Sequence, residues 1–396
     1  MRTGTTALLS SAVLLAGCST TVTGTASPAG AGAFTELLGT VDLADVDDRL
    51  DPYDVVATPD GSLVVLLTGN LGTADRQGSA LVELVPGDGG ATVGTVTEGA
   101  AYAGDGRGGE VHVADDGTLV AIGPVVSADG EGWDLALTVL APGAATADVR
   151  LVSADADLGT PDDATAALSP DGGTLYASLE WEVSEDRRVN RLAAIDVATG
   201  EIVAGEQVQV ETDGVAVVQD VSALPDGGFA ALVQNTTDRS GTESGPVLAE
   251  YDADLQLVGE PLELVTDEPY SLGYALEVLD DGTAVASVVA SNDGSDARLV
   301  TVRDGAVQGS AELPGLARAL AVDPAGRYAY ANYTREENGA AVATVDLDSG
   351  EVVGDVVLCE ELGSAADVAL SADGGSLAAL ASCPAGDVED PAFLLG

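Results

Sequence analysis

One turn signature recurs down the whole chain, an acidic or Pro-Asp step closed by glycine and flanked by short apolar runs. It reads Thr58-Pro59-Asp60-Gly61, Asp115-Asp116-Gly117, Ser169-Pro170-Asp171-Gly172, Leu224-Pro225-Asp226-Gly227, Asp280-Asp281-Gly282, Asp323-Pro324-Ala325-Gly326 and Ala372-Asp373-Gly374. These are hairpin turns, because Asp and Gly tolerate the backbone angles that a tight reversal demands. Successive turn glycines are 56, 55, 55, 55, 44 and 48 residues apart. A period of that size belongs to a repeat architecture, whose units cannot bury their apolar faces alone. The 396 residues therefore read as one repeat domain, not as two or three independent ones.

Each period divides into four strands. In the third, residues 166–168 and 174–179 flank the turn, 192–196 follow a polar loop, and 201–204 follow Ala198-Thr199-Gly200. Strand, turn, strand, loop, strand, turn, strand is a meander. The first strand is apolar on both faces, as in Val55-Val56-Ala57 and Val368-Ala369-Leu370, so each small sheet must lie between neighbours. Radial stacking meets that requirement and predicts an all-β, seven-bladed ring of four-stranded antiparallel blades. Only 22 residues follow Gly374, and the 28 residues from 34 to 61 complete the last repeat. The N-terminal strand, residues 35–43, is therefore expected to close the seventh blade from outside and remove an exposed sheet edge.

Two segments carry a family resemblance. Leu168-Ser169-Pro170-Asp171-Gly172 with Thr174-Leu175-Tyr176 and Ile195-Asp196-Val197-Ala198-Thr199-Gly200-Glu201-Ile202-Val203 resembles the YVTN-type, WD-repeat-like β-propeller repeat. Val345-Asp346-Leu347-Asp348-Ser349-Gly350-Glu351-Val352-Val353 is a second match, and the other repeats match at the first turn. The resemblance spans residues 34–396 and implies a β-propeller, a fold that hosts many unrelated functions.

Ahead of the repeats, residues 1–17 carry one charge, Arg2, then an apolar stretch from 7 to 16 and small residues before Cys18. That stretch is too short to span a bilayer and reads as an export signal peptide. Leu15-Ala16-Gly17-Cys18 resembles the lipobox of bacterial lipoproteins. The resemblance implies that Cys18 becomes the lipidated first residue, carrying diacylglycerol and an amide-linked acyl chain such as palmitate. Several acyl chains suffice for stable anchoring, here on the outer face of the cell membrane. An ordinary signal peptide with a chance Cys is the alternative. Residues 18–33, rich in Ser, Thr, Ala and Gly, predict a flexible tether.

Charge narrows the partners. The chain has 66 acidic and 14 basic residues, for a formal charge of -52, and it contains no Lys. Nucleic acid and anionic lipid surfaces are poor partners for such a protein, so membrane contact is expected through the lipid anchor only. The acidity itself reads as the solvated surface of an exported, monomeric protein. Of the remaining cysteines, Cys359 ends the last strand of blade 6 and Cys383 the second strand of blade 7. In a meander both ends reach one rim, and an oxidising compartment predicts a disulfide between them. Two reduced structural cysteines are the alternative.

Chemistry-bearing residues fall in two places. Seven residues before each turn glycine, at the start of the innermost strand, stand Asp54, Glu110, Thr165, Asp220, Ala275, Ala319 and Asp367. The four carboxylates could ring the channel mouth and hold calcium, or each could accept hydrogen bonds from nearby backbone. On the same rim, Trp133, Trp181, Tyr53, Tyr102, Tyr270, Tyr274 and Tyr333 fall in or beside the loops joining second and third strands, or at inner-strand starts. Aromatic enrichment on one face suits an interaction surface, although loops must be polar in any case and Trp can simply cap a blade. The one histidine, His112, lies between Val111 and Val113 and reads as packed between blades. No phosphate loop, zinc motif or nucleophile elbow occurs.

Three functions remain open on these residues. The first is a membrane-anchored binding or scaffold module for an envelope protein or polymer. The second is a metal-dependent enzyme resembling propeller lactonases or esterases, built on the four carboxylates. The third is a structural envelope protein or carbohydrate binder that stacks sugars on Trp133 and Trp181.

Overall fold

The computed structural model describes residues 32–396, apart from 48, 71–77, 88–89, 102, 105–108, 128–132, 154–160, 162, 185–186, 209–214, 237–244, 267–270, 291–295, 336–338, 361–362 and 385–390. Cys18 and the leader lie outside the described residues. The chain forms seven four-stranded antiparallel sheets, all in meander order. Blade 1 runs Leu50–Ala57, Leu63–Asn70, Ser79–Gly87 and Gly90–Glu98, with the two-residue strand Ala103–Gly104 added in parallel to the second strand. The inner strands of blades 2 to 7 are Glu110–Val113, Asp163–Leu168, Val215–Ala223, Leu272–Val278, Gly315–Val322 and Ser364–Leu370. In blade 7 the strand Leu37–Asp42 pairs outside Pro391–Leu395, so both ends of the described chain sit in one sheet. No helix among the described residues is long and apolar enough to cross a membrane.

The repeating turn explains the regularity. Gly61, Gly117, Gly172, Gly227, Gly282, Gly326 and Gly374 all have φ between 66° and 98°, a left-handed conformation that costs glycine no Cβ clash. The preceding aspartate fixes the same turn from the other side. Asp116, Asp171, Asp281 and Asp373 accept the N–H two residues on, at 2.8–3.0 Å, and these bonds hold their carboxyls below the usual range. Asp54 and its equivalents stand on the same strand seven residues earlier, within it at Asp54, Asp220 and Asp367 and at its start only at Glu110, so each turn sets the height of one channel position.

Packing is radial. The buried side chains separate into seven apolar clusters, one at each junction between neighbouring blades. The 7/1 junction, for example, joins Leu380, Ala392 and Leu394 to Leu63, Val65 and Leu67. Because both faces of a blade are buried this way, its second and third strands are continuous apolar runs. Cys359 and Cys383 stand at disulfide distance across the 6/7 junction, with Cα atoms 5.8 Å apart.

Blade 3 departs from the expected outline. Residues 182–191 read as a loop, yet Thr174–Ser184 and Arg187–Asp196 form one extended hairpin with Trp181 opposite Val189. Alternating β-formers across the pair carry the ladder past the point where polar composition suggested that it should stop.

Candidate functional site

The seven inner strands enclose a channel of 640 Å³, a volume that suits a small ligand. Each inner strand is the terminal strand of its sheet, so its channel-side N–H groups have no ladder partner. The channel acids meet that need. Asp367 accepts Val55 N at 2.7 Å, Asp54 accepts Val111 N at 2.6 Å, Glu110 accepts Ala166 N at 2.7 Å, and Asp220 accepts Leu276 N at 2.7 Å. In every case the donor belongs to the next blade round the ring. Asp54 and Asp220 also accept the N–H of their own following residue, each at 2.8 Å, so both oxygens of each are engaged.

This geometry favours the backbone role of the four acids over the calcium reading. The four carboxylates turn along the ring toward successive backbones, whereas calcium needs roughly six to eight oxygens aimed at one point. Among the described residues, no three His, Cys, Asp or Glu side chains form a group that could hold a metal ion.

Burial sets the protonation of the channel. It pushes Asp54 well above the usual carboxylate range, assisted by the charge of Asp367 and a hydrogen bond between the two carboxyls. Burial raises Asp367 as well. Asp220 rises to about 7 for the same reason, against the pull of its two backbone bonds. Glu277, two residues below the acid position on blade 5, is lifted to about 8 by burial and then by the charges of Asp220 and Asp367. His112 lines the channel rather than packing between blades, and burial lowers it to about 4, leaving a neutral imidazole at physiological pH. Its Nε2 lies 3.7 Å from Glu110, too far for a hydrogen bond.

A second pattern sits one residue above the acids. In blades 1, 4, 5, 6 and 7 the inner strand gains one residue against its neighbour, so the register jumps. Pro52 and Asp54 face Leu67 and Leu66, which leaves Tyr53 as the inserted residue. By the same shift Gln219, Tyr274 and Arg318 are inserted in blades 4, 5 and 6. These are β-bulges, which re-aim a side chain locally, and all four residues line the channel. Blade 3 pairs without interruption, and the equivalent positions of blades 2 and 3 are the small Gly109 and Ala164. Large side chains therefore stand on blades 1, 4, 5 and 6, and small ones, Gly109, Ala164 and Ala366, on blades 2, 3 and 7.

The aromatic rim is smaller than the sequence suggested. Trp181 is 3% exposed in the core between blades 2 and 3, and Tyr333 is 1% exposed, its hydroxyl donating to Asp355 at 2.8 Å. Both residues lie on strands, and strand alternation turns them inward. Tyr53, at 39%, and the half-buried Tyr274 remain at the channel mouth. Trp133 begins the third strand of blade 2, while Tyr102 and Tyr270 lie outside the described residues. Gln219, Glu277 and Arg318 were missed by sequence reasoning. Shifting the turn-glycine alignment by one residue would have exposed Gln219 and Arg318 as large polar residues on otherwise small, apolar strands.

Comparison with known proteins adds the fold and no more. No family model and no curated protein matches the chain. Kuenenia stuttgartiensis hydrazine synthase superposes with a TM-score of 0.55 at 15% identity, covering 83% of this chain and 92% of that one. A puromycin hydrolase mutant complexed with PGG superposes with a TM-score of 0.54 at 17% identity, covering 90% of this chain and 53% of that one. The chain thus spans about half the length of that hydrolase. At these identities the likeness is one of architecture, and the protein is a seven-bladed β-propeller.

Proposed function

We propose that this chain is a lipid-anchored, extracytoplasmic β-propeller that acts as a binding module for an envelope protein or polymer. The lipobox-like Leu15-Ala16-Gly17-Cys18, the YVTN-like turns and the acidic, Lys-free composition support the compartment. The observation that carries the binding role is the row of bulges. Five inner strands carry the bulge, and four of these bulges aim Tyr53, Gln219, Tyr274 and Arg318 into the channel mouth. The enzyme alternative rested on the four channel carboxylates, and those are engaged by the backbones of neighbouring blades.

The test is cross-linking of the full chain in intact cells, followed by recovery of its partners. Membrane partitioning lost in Cys18→Ser, and a cross-linked envelope component lost in Tyr53→Ala plus Tyr274→Ala, are the expected results. Partitioning unchanged by Cys18→Ser would refute the anchor. Cross-links indifferent to the two tyrosines would refute the channel mouth as the binding face.

A further inference from the structure

Arginine is scarce in this chain, and carboxylates are everywhere. Arg49, Arg150 and Arg298 accordingly contact Asp47, Asp148 and Asp296 at 2.5–2.7 Å. Arg303 and Arg327 lie within 4.0 Å of Asp348 and Asp346. Arg318 is different. It is exposed at the channel mouth, and it makes no hydrogen bond or ion pair among the described residues. It is also the one Arg among the described residues that line the channel.

Its neighbours on the two preceding blades share the peculiarity. Tyr274 and Gln219 occupy the same bulge position, and neither side chain makes a hydrogen bond among the described residues. Three consecutive blades therefore present an amide, a phenol and a guanidinium fork along one arc of a 640 Å³ channel. Across the ring from them, Gly109 on blade 2 leaves space beside Tyr53 on blade 1. We infer that this arc is a binding site for the oxyanion head group, carboxylate or phosphate, of a small molecule, with Arg318 as its bidentate anchor. The inference goes beyond the protein- or polymer-binding reading and adds a small ligand at the same mouth.

The acids nearby are partly neutralised. Burial raises Asp54 well above the usual carboxylate range and Glu277 to about 8, both helped by the charge of Asp367. His112 is neutral and adds no charge, and Asp220, at about 7, is partly protonated. Glu110 is committed to Ala166 N. The overall charge of -52 disfavours anions at long range, so the site must act through short contacts to a fixed fork.

The experiment is calorimetric titration of the purified full chain at pH 7 with sodium benzoate and, separately, with inorganic phosphate. Saturable binding of one of them with a Kd on the order of 1 mM is expected for a bare head group. Arg318→Ala should weaken it by about 10- to 100-fold, and Arg318→Lys should restore only part, because the fork is lost. Arg298→Ala, at a rim arginine paired with Asp296, should leave it unchanged. Binding of benzoate alone assigns a carboxylate, and binding of phosphate alone assigns a phosphate. No saturable binding of either, or binding indifferent to Arg318→Ala in a protein that melts like wild type, overturns the inference. A cross-linked partner that still depends on Tyr53 and Tyr274 would then leave the binding-module reading standing.

Discussion

The ring is joined in two different ways. At the 7/1, 1/2, 2/3 and 4/5 junctions a channel carboxylate accepts an inner-strand N–H of the next blade. At 3/4, 5/6 and 6/7 that position is Thr165, Ala275 or Ala319, and the ties lie elsewhere. The 3/4 junction stacks Tyr176, Phe229 and Tyr251 with centroids 5.3 and 5.1 Å apart. At 5/6 the Ser287 hydroxyl donates to Ala317 O at 2.8 Å. At 6/7 the buried Asn332 amide donates to Asp367 O and Leu380 O, both at 2.8 Å, beside the paired Cys359 and Cys383. A disulfide closing a loop of that length contributes about 3 kcal/mol by restricting the unfolded chain. The lesson is that the channel acids are one of several solutions to the same problem of holding blades together. Where other ties take over, on blades 5 and 6, the acid position shrinks to alanine next to Tyr274 and Arg318.

The comparison breaks most readily at Asp54. Asp54→Ala leaves Val111 N–H without its acceptor and Val55 N–H with only Asp367, so unfolding free energy should fall by about 2 kcal/mol. Thr165→Ala, at the same height on a blade that offers no carboxylate to the next one, should shift it by less than about 0.5 kcal/mol. Denaturant melts of the two variants decide the matter, and equal losses would mean that the acids do not join the ring.

The smaller effect concerns pH. In the folded protein Asp220 and Glu277 keep their protons to about 7 and about 8, whereas in the unfolded chain they release them near their ordinary values of 3.8 and 4.5. Between those limits the native state binds more protons, so stability is highest below the unfolded values and is lost as pH rises through the folded ones. Glu277→Gln removes one of these protons. The decline in stability between pH 5 and 8 should then become shallower by up to about 1.4 kcal/mol per pH unit. Parallel curves for variant and wild type would place Glu277 in water.

The fold was legible because each blade must reverse its chain through a left-handed residue, and Gly61, Gly117 and their five equivalents mark that requirement in the sequence. The acid row was legible as a row, but its role was not. Asp on an inner strand serves a metal or a backbone N–H equally well, and only the direction of each carboxylate decides. The bulges were hidden for a different reason. A bulge is a mismatch between two strands, and Tyr53, Gln219, Tyr274 and Arg318 have no residue type in common to announce it. Trp181 was misplaced because the blade 3 hairpin runs on to Ser184, past the polar residues that seemed to end it.

The central claim is that the channel acids join blades and do not hold a metal. Calcium titration of the full chain, with thermal melting in parallel, tests it on wild type and on Asp54→Ala plus Asp220→Ala. The account predicts no saturable calcium binding to the channel in wild type and a clearly lower melting temperature in the variant, with or without calcium. Saturable binding in wild type that disappears in a variant melting like wild type would contradict it.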